Sequence, residues 1–129
     1  MARILVVDDE GGIRSAIQRA LERDGHEVVV AVNGLDGARA LRGAGLDLAI
    51  IDIHMPEMDG IELLINFQAA APTMPVIVMS GGAQTRRLDL LQDASLLGAT
   101  GILAKPFTLD ELRETVTRAL VPRRTPDSQ

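Results

Sequence analysis

The sequence predicts a doubly wound α/β fold, a parallel sheet of five strands with helices on both faces. Three observations predict it. Short apolar runs alternate with amphipathic stretches along the whole chain. Most of those runs are continuously apolar instead of alternating with polar residues, the mark of strands covered on both faces. Strand and helix patterns succeed one another five times, and βα units in series build one sheet through right-handed crossovers.

Each element has its own signal. The first strand is the branched run Arg3 to Asp8, RILVVD, and the second is Glu27 to Ala31, EVVVA. Leu46 to Asp52, Pro75 to Ser80 and Gly101 to Ala104 complete the five. Between the first two, Ile13, Ala16, Ile17, Ala20 and Leu21 share one helix face, and Gly25 stops that helix. Leu35, Ala38 and Leu41 mark a second helix that ends near Gly43. A third runs from Ile61 to Ala70, before Pro72, and a fourth lies between Thr85 and Leu97. The last opens with Thr108-Leu-Asp-Glu111, a capping box that satisfies free backbone donors at a helix start. Its apolar face continues through Leu109, Leu112, Val116 and Leu120.

Composition bounds what such a domain can do. The 129 residues suffice for one domain with one sizeable core. Hydrophobic residues make up 47% but aromatics only 2%, so the core must be built from Leu, Ile, Val and Ala. Without cysteine there is neither a disulfide frame nor thiolate chemistry. MARILVVDDE meets acids after four apolar residues, too few for a signal peptide, and no run reaches the length of a membrane span. A soluble, cytoplasmic domain over residues 1–120 is expected, with 121–129 a flexible tail or truncated linker. The net charge of −5 repels nucleic acid and anionic membrane surfaces. Arg86-Arg87 and Arg123-Arg124, the only basic doublets, read as solvated charge.

Chemistry collects at the carboxyl ends of the strands, where open parallel sheets bind ligands. Strand one ends on Asp8, Asp9 and Glu10, strand three on Asp52, strand four on Ser80, and strand five on Lys105-Pro106. Strand two ends on Asn33-Gly34, a plain turn. Singly, each has an ordinary reading. An Asp after a strand is a turn former or helix cap, Ser80 before Gly81-Gly82 is a turn residue, and a lysine is a surface charge. Together they read otherwise. Carboxylates crowded at one sheet end repel in a partly dry site, and Asp8, Asp9 and Asp52 would be balanced by one divalent cation and one ammonium. Hard oxygen ligands with open positions suit Mg2+ or Mn2+. Such a constellation suits phosphoryl transfer, in which an ionised Asp attacks phosphorus and fixed charges stabilise the transferring group.

Four ordered motifs carry a family resemblance: ILVVDDE at Ile4 to Glu10, DIHMPEMDG at Asp52 to Gly60, MSG at Met79 to Gly81, and LAKPF at Leu103 to Phe107. Over residues 2 to 120 the chain resembles a response-regulator receiver domain of two-component signalling. The resemblance implies a (βα)5 flavodoxin-like sheet of strand order 2-1-3-4-5. It implies that Asp52 is the phospho-acceptor and that Asp9 and Asp52 ligate the metal directly. Asp8 would act largely through water, and the His54 backbone carbonyl would be a further ligand. By the same resemblance Ser80 and Lys105 contact the phosphoryl group, and the bond before Pro106 is cis. The phosphoryl donor would be a histidine kinase or phosphotransfer protein and the reader a downstream protein or output domain. The changed surface would surround the fourth helix and fifth strand, with a phosphorylation-dependent dimer among its outcomes. The domain would then be no enzyme beyond its own phosphoryl transfer and autodephosphorylation.

The sequence departs from the family at two places. Receivers usually carry Tyr or Phe three residues before the Lys, where this chain has Ile102. The segment from Ser80 to Gly101 is a few residues longer than usual, and Gly81-Gly82 gives its start unusual backbone freedom. Switching would therefore rest on the loop from Ser80 through Gly82 closing on the phosphoryl group, with Ile102 packed in both states. Of the two histidines, His54 is read through its backbone, not its imidazole, and His26 as a solvent-facing turn residue. Two rivals remain: a degenerate receiver kept for docking, and an Asp-nucleophile phosphatase of the haloacid dehalogenase type. The second needs an acid two residues after the nucleophile, where His54 stands, and a cap domain. A flavin or nucleotide binder is weaker still, because DDEGGI lacks a Gly-rich phosphate cradle.

Overall fold

In the computed structural model, residues 1–43, 45–53, 60–80 and 98–121 are described. Five strands, β1 (Arg3–Val7), β2 (Glu27–Ala31), β3 (Leu48–Asp52), β4 (Val76–Ser80) and β5 (Gly101–Ala104), form one sheet. Its order is β2-β1-β3-β4-β5, with every pair parallel. Four helices are described: α1 (Gly11–Arg23), α2 (Gly34–Gly43), α3 (Gly60–Ala70) and α4 (Leu109–Leu120). The helix expected between Thr85 and Leu97 lies outside the described residues, as do residues 122–129.

The continuous apolar runs have a direct structural cause. Ile4 and Val6, Leu48 and Ile50, Ile77 and Met79 face α1 and α4, where Ile17, Leu21, Leu112 and Val116 meet them. Their neighbours Leu5 and Val7, Ala49 and Ile51, Val76 and Val78 face the opposite side, against Leu63, Leu64 and Phe67 of α3. Side chains alternate along a strand, so a strand covered on both faces must be apolar at every position. Phe67 is the one aromatic among the largest fully buried side chains, as the composition requires.

Local signals end the helices. Gly25 adopts φ +89° after α1, a left-handed conformation that a Cβ disfavours. At α4, the Thr108 hydroxyl accepts from the Glu111 N–H (3.0 Å) and the Glu111 carboxylate from the Thr108 N–H (2.9 Å), the reciprocal capping box. Asn33 does more than turn the chain: its Oδ1 accepts the Asp36 N–H at 2.8 Å and caps α2.

Some expected burial is absent. Ala16, Leu35 and Leu109 carry apolar faces by spacing yet are exposed. Ala16 and Leu109 line an open groove beside Ile17 and Phe107, and Leu35 lies in the first turn of α2. Edge strand β2 is likewise only partly covered, with Val30 exposed. His26 is half-buried, not solvent-facing, because its Nδ1 accepts the Ala2 N–H at 3.1 Å.

Candidate functional site

The parallel ladders run one residue past three strand ends. The Asp8 N–H donates to the Ala31 carbonyl (3.2 Å), Ile53 N–H to Met79 (3.0 Å), and Lys105 N–H to Ser80 (2.6 Å). These bonds hold the carboxyl end of β1 to β2, and those of β3 and β5 to β4. By strand alternation Asp8 follows Ile4 and Val6, and Asp52 follows Leu48 and Ile50, onto the face that α1 and α4 cover. Two acids thus arrive side by side from strands adjacent in the sheet.

Asp8 is fully buried and Asp52 nearly so. A buried carboxylate is costly unless paired and hydrogen-bonded. Lys105 supplies the pairing: its Nζ donates to Asp52 Oδ2 at 3.0 Å and to Asp8 Oδ2 at 3.1 Å. Asp8 Oδ1 accepts the Glu10 N–H at 2.9 Å. Burial alone would lower the Lys105 pKa. The hydrogen bond and charge of Asp52, then those of Asp8, outweigh it and raise the ammonium above the ordinary lysine value of 10.5.

Asp9 lies on the exposed side of this pair. One oxygen each from Asp8, Asp9 and Asp52 falls within 4.8 Å of the others. One ammonium against three carboxylates leaves two negative charges, the charge of a single divalent cation. The donor set is all hard oxygen, which fits Mg2+ or Mn2+ and not a soft metal.

Ser80 ends β4 fully buried, and its hydroxyl has no hydrogen-bond partner among the described residues. A buried hydroxyl without a partner is costly and uncommon, so it marks a place where an acceptor fits. The Lys105–Pro106 bond is cis, the isomer the resemblance implies. Ile102 is half-buried beside Val78 on the face opposite Asp52, packed against the α3 side of the core. His54 and Gly82 lie outside the described residues.

Comparison with known proteins decides the family. The family model for the response regulator receiver domain matches residues 4–117. The chain belongs to the response-regulator receiver domains. It is 35% identical to sporulation initiation phosphotransferase F of Bacillus subtilis, over 92% of this chain and 93% of that protein. It is 38% identical to the DNA-binding transcriptional regulator NtrC of Rhizobium meliloti, over 97% of this chain but 25% of that protein. Among solved structures, a receiver domain protein from Methanospirillum hungatei superposes with a TM-score of 0.86 at 31% identity. That match covers 93% of this chain and 94% of the other. Receiver domains act as signalling switches in two-component systems and bind Mg2+ at an acidic pocket, and this receiver has an Asp cluster that could hold the ion. No described helix is long and apolar enough to cross a membrane.

One feature of this receiver escaped the sequence reading. The Arg14 guanidinium donates to the Asp8 main-chain carbonyl at 2.7 Å, directly behind the acid cluster. Its helix position looks like an ordinary solvated charge, and only the path of the β1–α1 turn brings it back to Asp8.

Proposed function

We propose that this receiver takes a phosphoryl group onto Asp52 from a phosphohistidine of a histidine kinase or phosphotransfer protein. The observation that carries the reading is the Asp52 carboxylate, nearly buried at the β3 end, held 3.0 Å from Lys105 and beside Asp8 and Asp9. A carboxylate oxygen of Asp52 attacks phosphorus, the P–N bond breaks, and its electron pair returns to the donor imidazole, which takes a proton. The product is an acyl phosphate that water later hydrolyses.

Asp8, Asp9 and Asp52 would hold Mg2+ or Mn2+, and by family resemblance the His54 backbone carbonyl would be a further ligand. The ion, when bound, neutralises charge on the phosphoryl oxygens. Lys105 shifts from Asp52 toward a phosphoryl oxygen while keeping Asp8. The Ser80 hydroxyl, buried without a partner among the described residues, donates to another phosphoryl oxygen. The output is a changed surface around β5 and the helix expected at Thr85 to Leu97. A downstream protein, an output domain or a second copy reads it. Residues 1–120 form the switch.

A docking-only receiver is the second reading, favoured by Ile102 in the place of the family's aromatic. Incubation with acetyl phosphate and Mg2+ followed by intact mass separates the two. A single adduct of about 80 Da, absent in Asp52→Asn, supports the switch. An unmodified native chain supports docking alone, an undiminished adduct in Asp52→Asn overturns the acceptor, and turnover of many equivalents of a phosphomonoester points to a phosphatase.

A further inference from the structure

A cation that takes no part in the ion pairs of the acid cluster is bonded to its backbone. Arg14, half-buried in the first turn of α1, donates from Nη1 to the Asp8 carbonyl at 2.7 Å. Its Nη2 lies across Gly11, 3.6 Å from where a Cβ on that residue would stand. Arg14 forms no ion pair among the described residues, so its fixed partner is a backbone oxygen.

That partner matters because of what the neighbouring side chains do. Both oxygens of Asp8 are occupied, one by the Glu10 N–H and one by Lys105. Asp9 differs: it is exposed, and no described residue hydrogen-bonds or pairs with its carboxylate. The direction of the Asp9 side chain therefore depends on its backbone. The Asp8 carbonyl and the Asp9 nitrogen belong to one planar peptide unit. Anchoring that oxygen fixes the plane from which Asp9 departs.

We infer that Arg14 is a positioning residue that locks the Asp8–Asp9 peptide and so aims the Asp9 carboxylate at the metal. The inference rests on the metal-dependent reading above. Two effects of Arg14 oppose each other. Its charge repels a divalent cation, so a purely electrostatic role predicts tighter Mg2+ binding once it is removed. Its hydrogen bond orients a ligand, so a positioning role predicts weaker binding. The sign of the change decides between them.

The test is calorimetric titration of the native chain, Arg14→Met and Arg14→Lys with Mg2+ alone. Met keeps the apolar stem and the helix propensity, so its effect reports the lost guanidinium. Arg14→Met should bind Mg2+ about tenfold more weakly, the scale of losing an outer partner of a metal ligand. Lys, which can donate one bond to the carbonyl, should recover most of the affinity. The Asp9 amide should exchange faster in metal-free Arg14→Met, and the acetyl phosphate rate at saturating Mg2+ should return close to native. Equal or tighter Mg2+ binding by Arg14→Met overturns the inference alone, as does a Lys variant no better than Met. A native chain that takes up no Mg2+ overturns the proposed function and this inference with it.

Discussion

The Lys105 ammonium lies 3.0 Å from the Asp52 carboxylate, joining the loop after β5 to the tip of β3 across 53 residues of chain. The same ammonium reaches Asp8 at 3.1 Å, across 97 residues. One cation thus stands between two buried acids from adjacent strands, and removing it takes the ion pair from each.

Lys105→Met should destabilise the metal-free protein by about 3 kcal/mol, the cost of breaking a buried charge pair. Mg2+ should stabilise the variant more than it stabilises the native chain, because the cluster then carries one more uncompensated negative charge. Urea unfolding in chelator and in Mg2+ measures both. A variant as stable as native in chelator would show that the ion pairs contribute nothing.

Alkaline stability reports on the same residue. Lys105 is the only lysine, and the chain has no tyrosine or cysteine to titrate beside it. Its folded pKa is raised above 10.5 by Asp52 and Asp8 against the effect of burial. A raised pKa means the folded state holds the proton more tightly. Its contribution is full below the unfolded value and is lost as pH rises through the folded one. Urea midpoints should fall as pH rises past the unfolded lysine value of 10.5. The slope should vanish in Lys105→Met; an equal slope there would assign it elsewhere.

Mg2+ should raise stability through the Asp8, Asp9 and Asp52 cluster. At tenfold excess over its dissociation constant the gain should be about 1.4 kcal/mol, since the ion binds only the folded chain. Asp9→Ala should remove most of that gain and leave the metal-free protein no less stable, because it deletes an exposed charge beside two buried ones. Melting curves with and without Mg2+ that coincide for the native chain would refute the metal site.

Ile102 should stay packed when the site is loaded. It is β-branched, half-buried and packed beside Val78 on the face away from Asp52, which restricts its side chain. With a beryllofluoride mimic, amide exchange should slow at Ser80 and Lys105 and stay unchanged at Ile102. Ile102→Val should cost about 1 kcal/mol and leave the phosphorylation rate alone. Protection changes confined to β5 around Ile102 would sink this account.

The five strands, the four described helices and the polar residues at the strand ends were legible in the sequence. These are local matters. A run such as Ile4 to Val7 is apolar because both sheet faces are covered, and Thr108 to Glu111 caps a helix within one turn. Even Asp52 stood out, since a carboxylate at the buried end of LAII is costly without a partner. Which of those residues meet is set by the tertiary structure, and only the family resemblance, no local pattern, pointed to it. The side-by-side order of β2, β1, β3, β4 and β5 places Asp8 beside Asp52, and no local pattern encodes which parallel strands become neighbours. The tertiary structure also decided that Ala16, Leu35 and Leu109 stay exposed, since helical spacing gives a face but not what packs against it. Arg14 belongs to the same class: its guanidinium finds the Asp8 carbonyl through the path of one turn, and helical spacing carries no trace of that bond.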